Sequence, residues 1–130
     1  MEISEAVVVI VETFNRDDIE GFIASCTPDV ELKSLRGMLE DVVYRGHDGL
    51  REFQRDSEAA WSERHAQLVD VETRGDEAVL IARMRMKGQA SGVLTERTVA
   101  FAVRLRDGSI ARMTTHPDAG SARRELGWTT

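Results

Sequence analysis

The second half of the chain alternates β-prone runs with turn signals, and this pattern restricts the fold more than any other feature. Four runs cover residues 66–73, 77–87, 93–106 and 109–115. Arg74-Gly75-Asp76 separates the first two runs, residues 88–92 form a loop, and Asp107-Gly108 separates the last two. Asp-Gly is typical of a two-residue hairpin turn, because such a turn needs positive φ at both central positions. The pattern predicts an antiparallel meander of four strands.

Helical spacing of apolar residues dominates the beginning of the chain. The spacing predicts one amphipathic helix over about the first fourteen residues. Asn15 is the predicted cap of a second helix, whose apolar spacing continues to Cys26. Thr27-Pro28-Asp29 then ends that helix.

Short elements connect these helices to the meander. The sequence predicts strands at residues 30–35 and 42–45, with a loop at residues 36–41 between them. A third helix is predicted over about residues 47–63, with His47 or Asp48 as its cap.

The chain closes with a short predicted helix. Pro117 and Asp118 open it, Leu126 is its apolar anchor and Gly127 ends it.

Composition excludes several classes of protein. The 130 residues, 42% of them hydrophobic and 31% charged, are typical of one domain spanning residues 1–130. A net charge of −6 without a basic run argues against a nucleic-acid partner. The single cysteine, Cys26, and the lack of a Cys/His cluster predict neither a disulfide nor a metal site. The N-terminal residues resemble neither a signal peptide nor a membrane span, so we expect a cytoplasmic protein without membrane contact.

Four stretches of sequence carry a resemblance to a known family. They are TPDVEL after the second helix, YRGHDGLREF before the third, RDGSIARM at the last hairpin and HPDAGSARRELGW at the end. In this order they resemble the SnoaL-like branch of the nuclear transport factor 2-like superfamily. The resemblance implies a cone-shaped α+β fold, in which a curved antiparallel sheet wraps around three helices of the N-terminal half and a short C-terminal helix follows. It also implies an internal pocket for a small apolar molecule and a homodimer formed through the sheet.

The last hairpin supplies the candidate pocket residues. A two-residue turn would pair Arg106 with Ser109 and Leu105 with Ile110. Six further residues would then form three cross-strand pairs: Val103 with Arg112, Phe101 with Thr114 and Val99 with His116. Since paired residues share a face, all six are predicted to point into the cone. His116 is the candidate acid or base, because imidazole titrates near neutral pH. Arg112 is the candidate donor to a carboxylate or enolate oxygen.

Two aromatic residues are candidate pocket walls. Tyr44 lies in the short strand before the third helix, and Trp61 lies on the apolar stripe of that helix. Tyr44 has the hydroxyl needed to donate to an oxyanion, but both residues also suit simple core packing.

The polar candidates have structural alternatives as well. His116, just before a proline, also suits a packed or capping role, and Arg112 also suits an ion pair with an acidic residue. Asp118 either orients His116 or caps the last helix. Trp128 either covers a pocket mouth or dimer seam, or belongs to a loosely packed tail.

Two hypotheses on function follow. One is a cofactor-independent cyclase, isomerase or lyase that acts on a small apolar carbonyl compound by acid/base chemistry. The other is a non-catalytic homodimer that binds a small ligand or a partner. SnoaL-like cyclases use a His and an Asp from the final strands, and the nearest positions, Phe101 and residues 114–116, do not reproduce that pair.

Overall fold

The computed structural model describes the backbone of residues 1–128 and the side chains of residues 1–36 and 40–128. In chain order, the elements are α1 (Ile3–Asn15), α2 (Ile19–Ile23), β1 (Cys26–Lys33), α3 (Leu35–Glu40), β2 (Tyr44–Arg45), α4 (Gly46–Ala60), β3 (Trp61–Arg74), β4 (Glu77–Gly88), β5 (Leu94–Arg106), β6 (Ser109–His116) and α5 (Ala119–Glu125).

The predicted meander forms most of a single six-stranded sheet. The strand order is β2-β1-β6-β5-β4-β3, so the last four strands pair in sequence order. The β1–β6 pairing is parallel, while the other pairings are antiparallel. Asp107 and Gly108 have φ of 51° and 77°, which are the positive values that the Asp-Gly turn requires. The α+β class and the meander are therefore confirmed.

The two faces of the sheet pack against different helices. One face, called the inner face here, buries residues such as Leu80, Val103 and Ile110 against α1, α2 and α4. The opposite face, called the outer face, carries Ala100 and Ala102 and is partly covered by α5. Apolar burial on the inner face contributes most to the stability of the fold.

The predicted boundaries of the second helix are wrong at both ends. The cap of α2 is Asp18, whose side chain accepts a hydrogen bond from the amide of Gly21. Asn15 instead pairs with the backbone of Ala66 in β3, donating to its carbonyl at 2.9 Å and accepting from its amide at 2.8 Å. Cys26 begins β1 rather than ending a helix. The helical spacing of the sequence is overridden here by contacts with the sheet.

Two further predictions around α4 are wrong. Residues 36–41 are not all loop, because α3 covers most of them, so the N-terminal half holds four helices instead of three. The helix predicted to reach Glu63 ends at Ala60, and Trp61 is the first residue of β3. Trp61 pairs with Gly88 of β4, so the long β3–β4 ladder determines where the helix ends.

The C-terminal helix forms as predicted. Asp118 caps α5 by accepting a hydrogen bond from the amide of Ser121 at 2.8 Å. Leu126 is buried, and Gly127 ends the helix with a φ of 74°. In the part of the chain that the structure describes, no helix is long and apolar enough to cross a bilayer.

Candidate functional site

A β-bulge in the last hairpin moves the predicted catalytic residues to the other face of the sheet. Arg106 pairs with Ser109 and Leu105 with Ile110, as predicted, but Arg104 then pairs with Arg112, which leaves Ala111 as an extra residue. A shift of one residue reverses the face of every later side chain.

The prediction that these residues point into the cone is therefore wrong. Arg112, Thr114 and His116 lie on the outer face, opposite Arg104, Ala102 and Ala100.

His116 and Arg112 nevertheless meet, through Glu125 of α5. Nε2 of His116 lies 3.3 Å from one carboxylate oxygen of Glu125, and Arg112 donates to the other at 3.4 Å. The buried Thr114 hydroxyl donates to the same carboxylate and lies 2.9 Å from His116 Nε2. Arg112 also pairs with Glu31 at 3.4 Å, which agrees with the ion-pair alternative. These four side chains, together with Glu31, attach α5 to the sheet.

Little space for a ligand lies beside this cluster. The adjacent cavity measures about 10 Å³ and is bounded by Arg112, Glu125 and Leu126 among others. Such a volume suits about one water molecule. Burial raises the pKa of Glu125, but hydrogen bonds from Thr114 and His116 and the charges of His116 and Arg112 outweigh burial, so that the pKa is lowered overall.

This lowered pKa predicts an acid-sensitive attachment of α5. Because the folded chain holds Glu125 below its ordinary pKa of 4.5, the unfolded chain binds more protons in acid and stability falls as pH decreases through that range. Glu125→Gln should cost about 1 kcal/mol at neutral pH and flatten the loss of stability in acid. Urea denaturation from pH 7 to pH 3 measures both effects. The exposed Glu52→Gln is the control, and equal acid profiles for the two variants would contradict this assignment.

The remaining predicted pocket residues lie mainly in the core. Val99, Phe101 and Val103 are on the inner face as expected, and Val99 and Val103 are fully buried. Tyr44 is also buried, and its hydroxyl donates to Asp56 at 2.7 Å. Burial and the bond to Asp56 raise the pKa of Tyr44.

A larger cavity lies elsewhere, where α1, α4 and β3 meet. It measures about 350 Å³ and is called the Arg64 cavity here. Its lining residues are Asp17, Ser57, Glu58, Trp61, Ser62, Glu63, Arg64 and Gln89. Trp61 is the one predicted pocket residue among them. A volume of this size is at the lower end of the range for small-molecule sites.

Arg64 is the central polar residue of this cavity. Only 7% of its side chain is exposed, although it carries a full charge. Its guanidinium lies over the Phe14 ring at 4.7 Å and near the Phe53 ring at 5.7 Å. Two aromatic faces stabilise a cation, so the site holds the charge without full hydration.

A chain of hydrogen bonds runs through Arg64. Its Nε donates to Asp17 at 2.9 Å and its Nη2 donates to the buried Gln54 at 2.6 Å. The Gln54 amide in turn donates to Glu58 at 3.0 Å. Nη1 of Arg64 has no hydrogen-bond partner among residues whose side chains are described. The arrangement offers a fixed donor and carboxylate oxygens beside the same cavity.

Arg64 was not predicted because the sequence placed residues 47–63 in a helix and began the strand only at residue 66. A strand that begins at Trp61 puts Arg64 on the inner face with Ala66 and Leu68, opposite Met86 and Met84. The sequence does carry a signal for Arg64, since it precedes the apolar residues Ala66 and Leu68 at the spacing of two that places side chains on one face of a strand.

Cys26 lies in the core and does not line the Arg64 cavity. Within the described residues, no group of three His, Cys, Asp or Glu side chains could hold a metal ion. Cys26 is buried, its thiol donates to the Phe22 carbonyl at 3.2 Å, and burial raises its pKa to about 12. A thiol with so high a pKa is a poor nucleophile.

The fold and the cavity define an α+β pocket protein of the nuclear transport factor 2-like type. The model of the SnoaL-like domain family matches residues 7–113, and the chain belongs to this family. No curated protein matches the sequence.

Solved structures share this fold at low sequence identity. A nuclear transport factor 2-like protein of unknown function from Burkholderia pseudomallei has a TM-score of 0.79 and 22% identity, with 93% of this chain and 94% of that chain covered. A hypothetical protein from Catenulispora acidiphila with a ketosteroid isomerase-like fold, solved in complex with trimethylamine, has a TM-score of 0.78 and 13% identity, with 97% and 98% covered. A proposed polyketide cyclase from Pseudomonas putida has a TM-score of 0.73 and 18% identity, with 91% and 92% covered.

Proposed function

We propose that this SnoaL-like protein binds a small organic molecule in the Arg64 cavity. The observation that carries the proposal is the hydrogen-bonded chain Asp17–Arg64–Gln54–Glu58 at the edge of a cavity of about 350 Å³. In small-molecule sites, a few fixed polar groups orient the ligand. Here Trp61 supplies apolar surface, and Arg64 and Glu58 supply the polar groups.

The guanidinium of Arg64 would determine the orientation of such a ligand. Arg64 lines the cavity and is held by Asp17 and Gln54, which leaves Nη1 as a donor without a partner among the described side chains. A prearranged donor loses little conformational entropy when the ligand binds. A carbonyl, hydroxyl or carboxylate oxygen of the ligand would accept from Nη1.

One protein of similar fold was solved with a small organic molecule bound. The Catenulispora acidiphila protein was solved with trimethylamine, so this fold accommodates a small organic ligand in at least one distant relative. The identity of 13% transfers no residue roles, and the proposal therefore rests on the geometry of the Arg64 cavity.

A thermal-shift panel of anionic, neutral and cationic small molecules tests this proposal. A ligand present at one hundred times its Kd should stabilise the protein by about 2.7 kcal/mol. Ser62→Trp, which places a large ring at the cavity, should abolish the shift. Ser4→Trp, at an exposed position on α1 outside the cavity lining, is the matched control and should retain it. A panel without any shift that depends on Ser62 would overturn the proposal.

A second candidate function is acid/base catalysis on a small carbonyl compound. It is favoured by the presence of Arg64 and Glu58 in the lining of one cavity, where both hydrogen-bond to Gln54, because such a pair can polarise a carbonyl and remove a proton. The predicted catalytic roles of His116 and Arg112 stay predictions. Chemical conversion of an identified ligand that is lost in Arg64→Met and kept in His116→Ala would place catalysis in the cavity. Conversion lost in His116→Ala with an intact fold would instead support His116.

The predicted homodimer and cytoplasmic location stay proposals. The outer face beside α5 carries Arg83, Arg85 and Glu96, all exposed, and is the surface through which we propose pairing. Sedimentation equilibrium at micromolar concentration measures the oligomeric state. A monomeric mass at every concentration would overturn this part of the proposal.

A further inference from the structure

The side chains around the Arg64 cavity carry an excess of negative charge. Asp17, Glu58 and Glu63 line it together with a single cation, Arg64. The charge of Arg64 is already balanced by Asp17 at 2.9 Å. Glu58 and Glu63 therefore leave two formal negative charges without a cation in the lining.

Two helix ends add to this negative potential. α1 ends at Asn15, shortly before Asp17, and α4 ends at Ala60, shortly after Ser57 and Glu58. Neither helix has a basic residue in its last turn. The last carbonyl groups of a helix carry partial negative charge, which favours a cation close by.

Ser57 is a further polar group in the lining of the cavity, with only 8% of the residue's surface exposed. Across the described side chains, its hydroxyl has no hydrogen-bond partner. The hydroxyl is therefore available to a polar group of a ligand in the cavity.

We propose that the ligand of the Arg64 cavity is a small organic cation of the substituted ammonium class. Glu58 supplies the opposite charge, Trp61 the aromatic contact, and Ser57 and Arg64 bind a polar group of the same ligand. Aromatic rings and carboxylates together favour ammonium groups over uncharged groups of the same shape. The inference rests on the proposed function, since it specifies the charge of the ligand in that cavity.

A pair of isosteric probes tests the charge directly. Choline and 3,3-dimethylbutan-1-ol share shape and hydroxyl group, and only choline is charged. The chain holds two tryptophans, so Trp128→Phe leaves Trp61 at the cavity as the single fluorescent reporter. In this background choline should bind about tenfold more tightly than the alcohol.

Charge removal at the cavity provides the second measurement. Glu58→Gln should weaken choline binding by about threefold to tenfold and leave binding of the alcohol unchanged. Glu52→Gln removes an exposed carboxylate of α4 outside the cavity lining and is the matched control, with both affinities unchanged.

The outcomes separate this inference from the proposed function. Equal affinity for the two probes, or a preference for the alcohol or for benzoate, would overturn the cation inference and leave binding in the cavity intact. If none of these probes binds but another panel compound gives a shift that depends on Ser62, the cation inference alone fails. If no compound of any charge gives such a shift, both proposals fail.

Discussion

Arg64→Met should destabilise the protein by about 2–3 kcal/mol, because the substitution leaves the buried Gln54 oxygen without its donor and removes the contacts with two aromatic rings. The methionine side chain has a similar length, so apolar packing against Phe14 and Phe53 is largely kept. The charge of Asp17 is mostly exposed, with 59% of its side chain accessible, and adds little to this loss. Chemical denaturation of both proteins measures the difference. The same variant should lose ligand binding in the Arg64 cavity.

Arg55→Met is the matched control for this substitution. Arg55 lies on α4, is exposed, and has no ion pair among the described side chains. Its replacement should change stability by no more than about 0.5 kcal/mol. If Arg64→Met were as stable as Arg55→Met, Arg64 would not be the polar centre of the cavity.

Trp128→Ala should cost about 3 kcal/mol, a value typical of replacing a buried aromatic side chain. Trp128 is only 9% exposed, so it belongs neither to a loosely packed tail nor to an open pocket mouth. Its ring lies 4.7 Å beneath the Arg74 guanidinium, and its Nε1 donates to Glu77 at 2.8 Å. Chemical denaturation and hydrogen exchange of the α5 amides measure the loss.

Trp128→Phe separates the contribution of the Trp128–Glu77 hydrogen bond from the contribution of apolar packing. It keeps most of the apolar surface and removes only the bond to Glu77, so it should cost about 1 kcal/mol. Burial raises the pKa of Glu77, but bonds from Trp128 and Arg104 lower it by more. Equal stability of Trp128→Ala and the unmodified protein would show that α5 is not held through this residue.

Local sequence patterns were sufficient to predict those turns and helix ends whose geometry depends only on neighbouring residues. The Asp107-Gly108 turn, the cap at Asp118 and the end of α5 at Gly127 formed as expected, because each depends on the φ or hydrogen bonds of a few adjacent residues. The end of α4 depended instead on a partner strand. Trp61 fits a helical stripe, but pairing with Gly88 draws it into β3.

The candidate site could not be located from the sequence for the same physical reason. One extra residue, Ala111, turns Arg112, Thr114 and His116 toward the outer face, and a bulge leaves no dependable mark in a single sequence. The earlier start of β3 turns Arg64 inward, between rings supplied by α1 and α4.

The sequence by itself determined the fold class, the four-strand meander with its last turn, and the family resemblance, because hydrophobic periodicity and turn chemistry act over short distances. Only the tertiary structure decided which polar side chains share a cavity. A side chain's face depends on strand register and on where pairing begins, and both are determined by contacts between residues far apart in the chain.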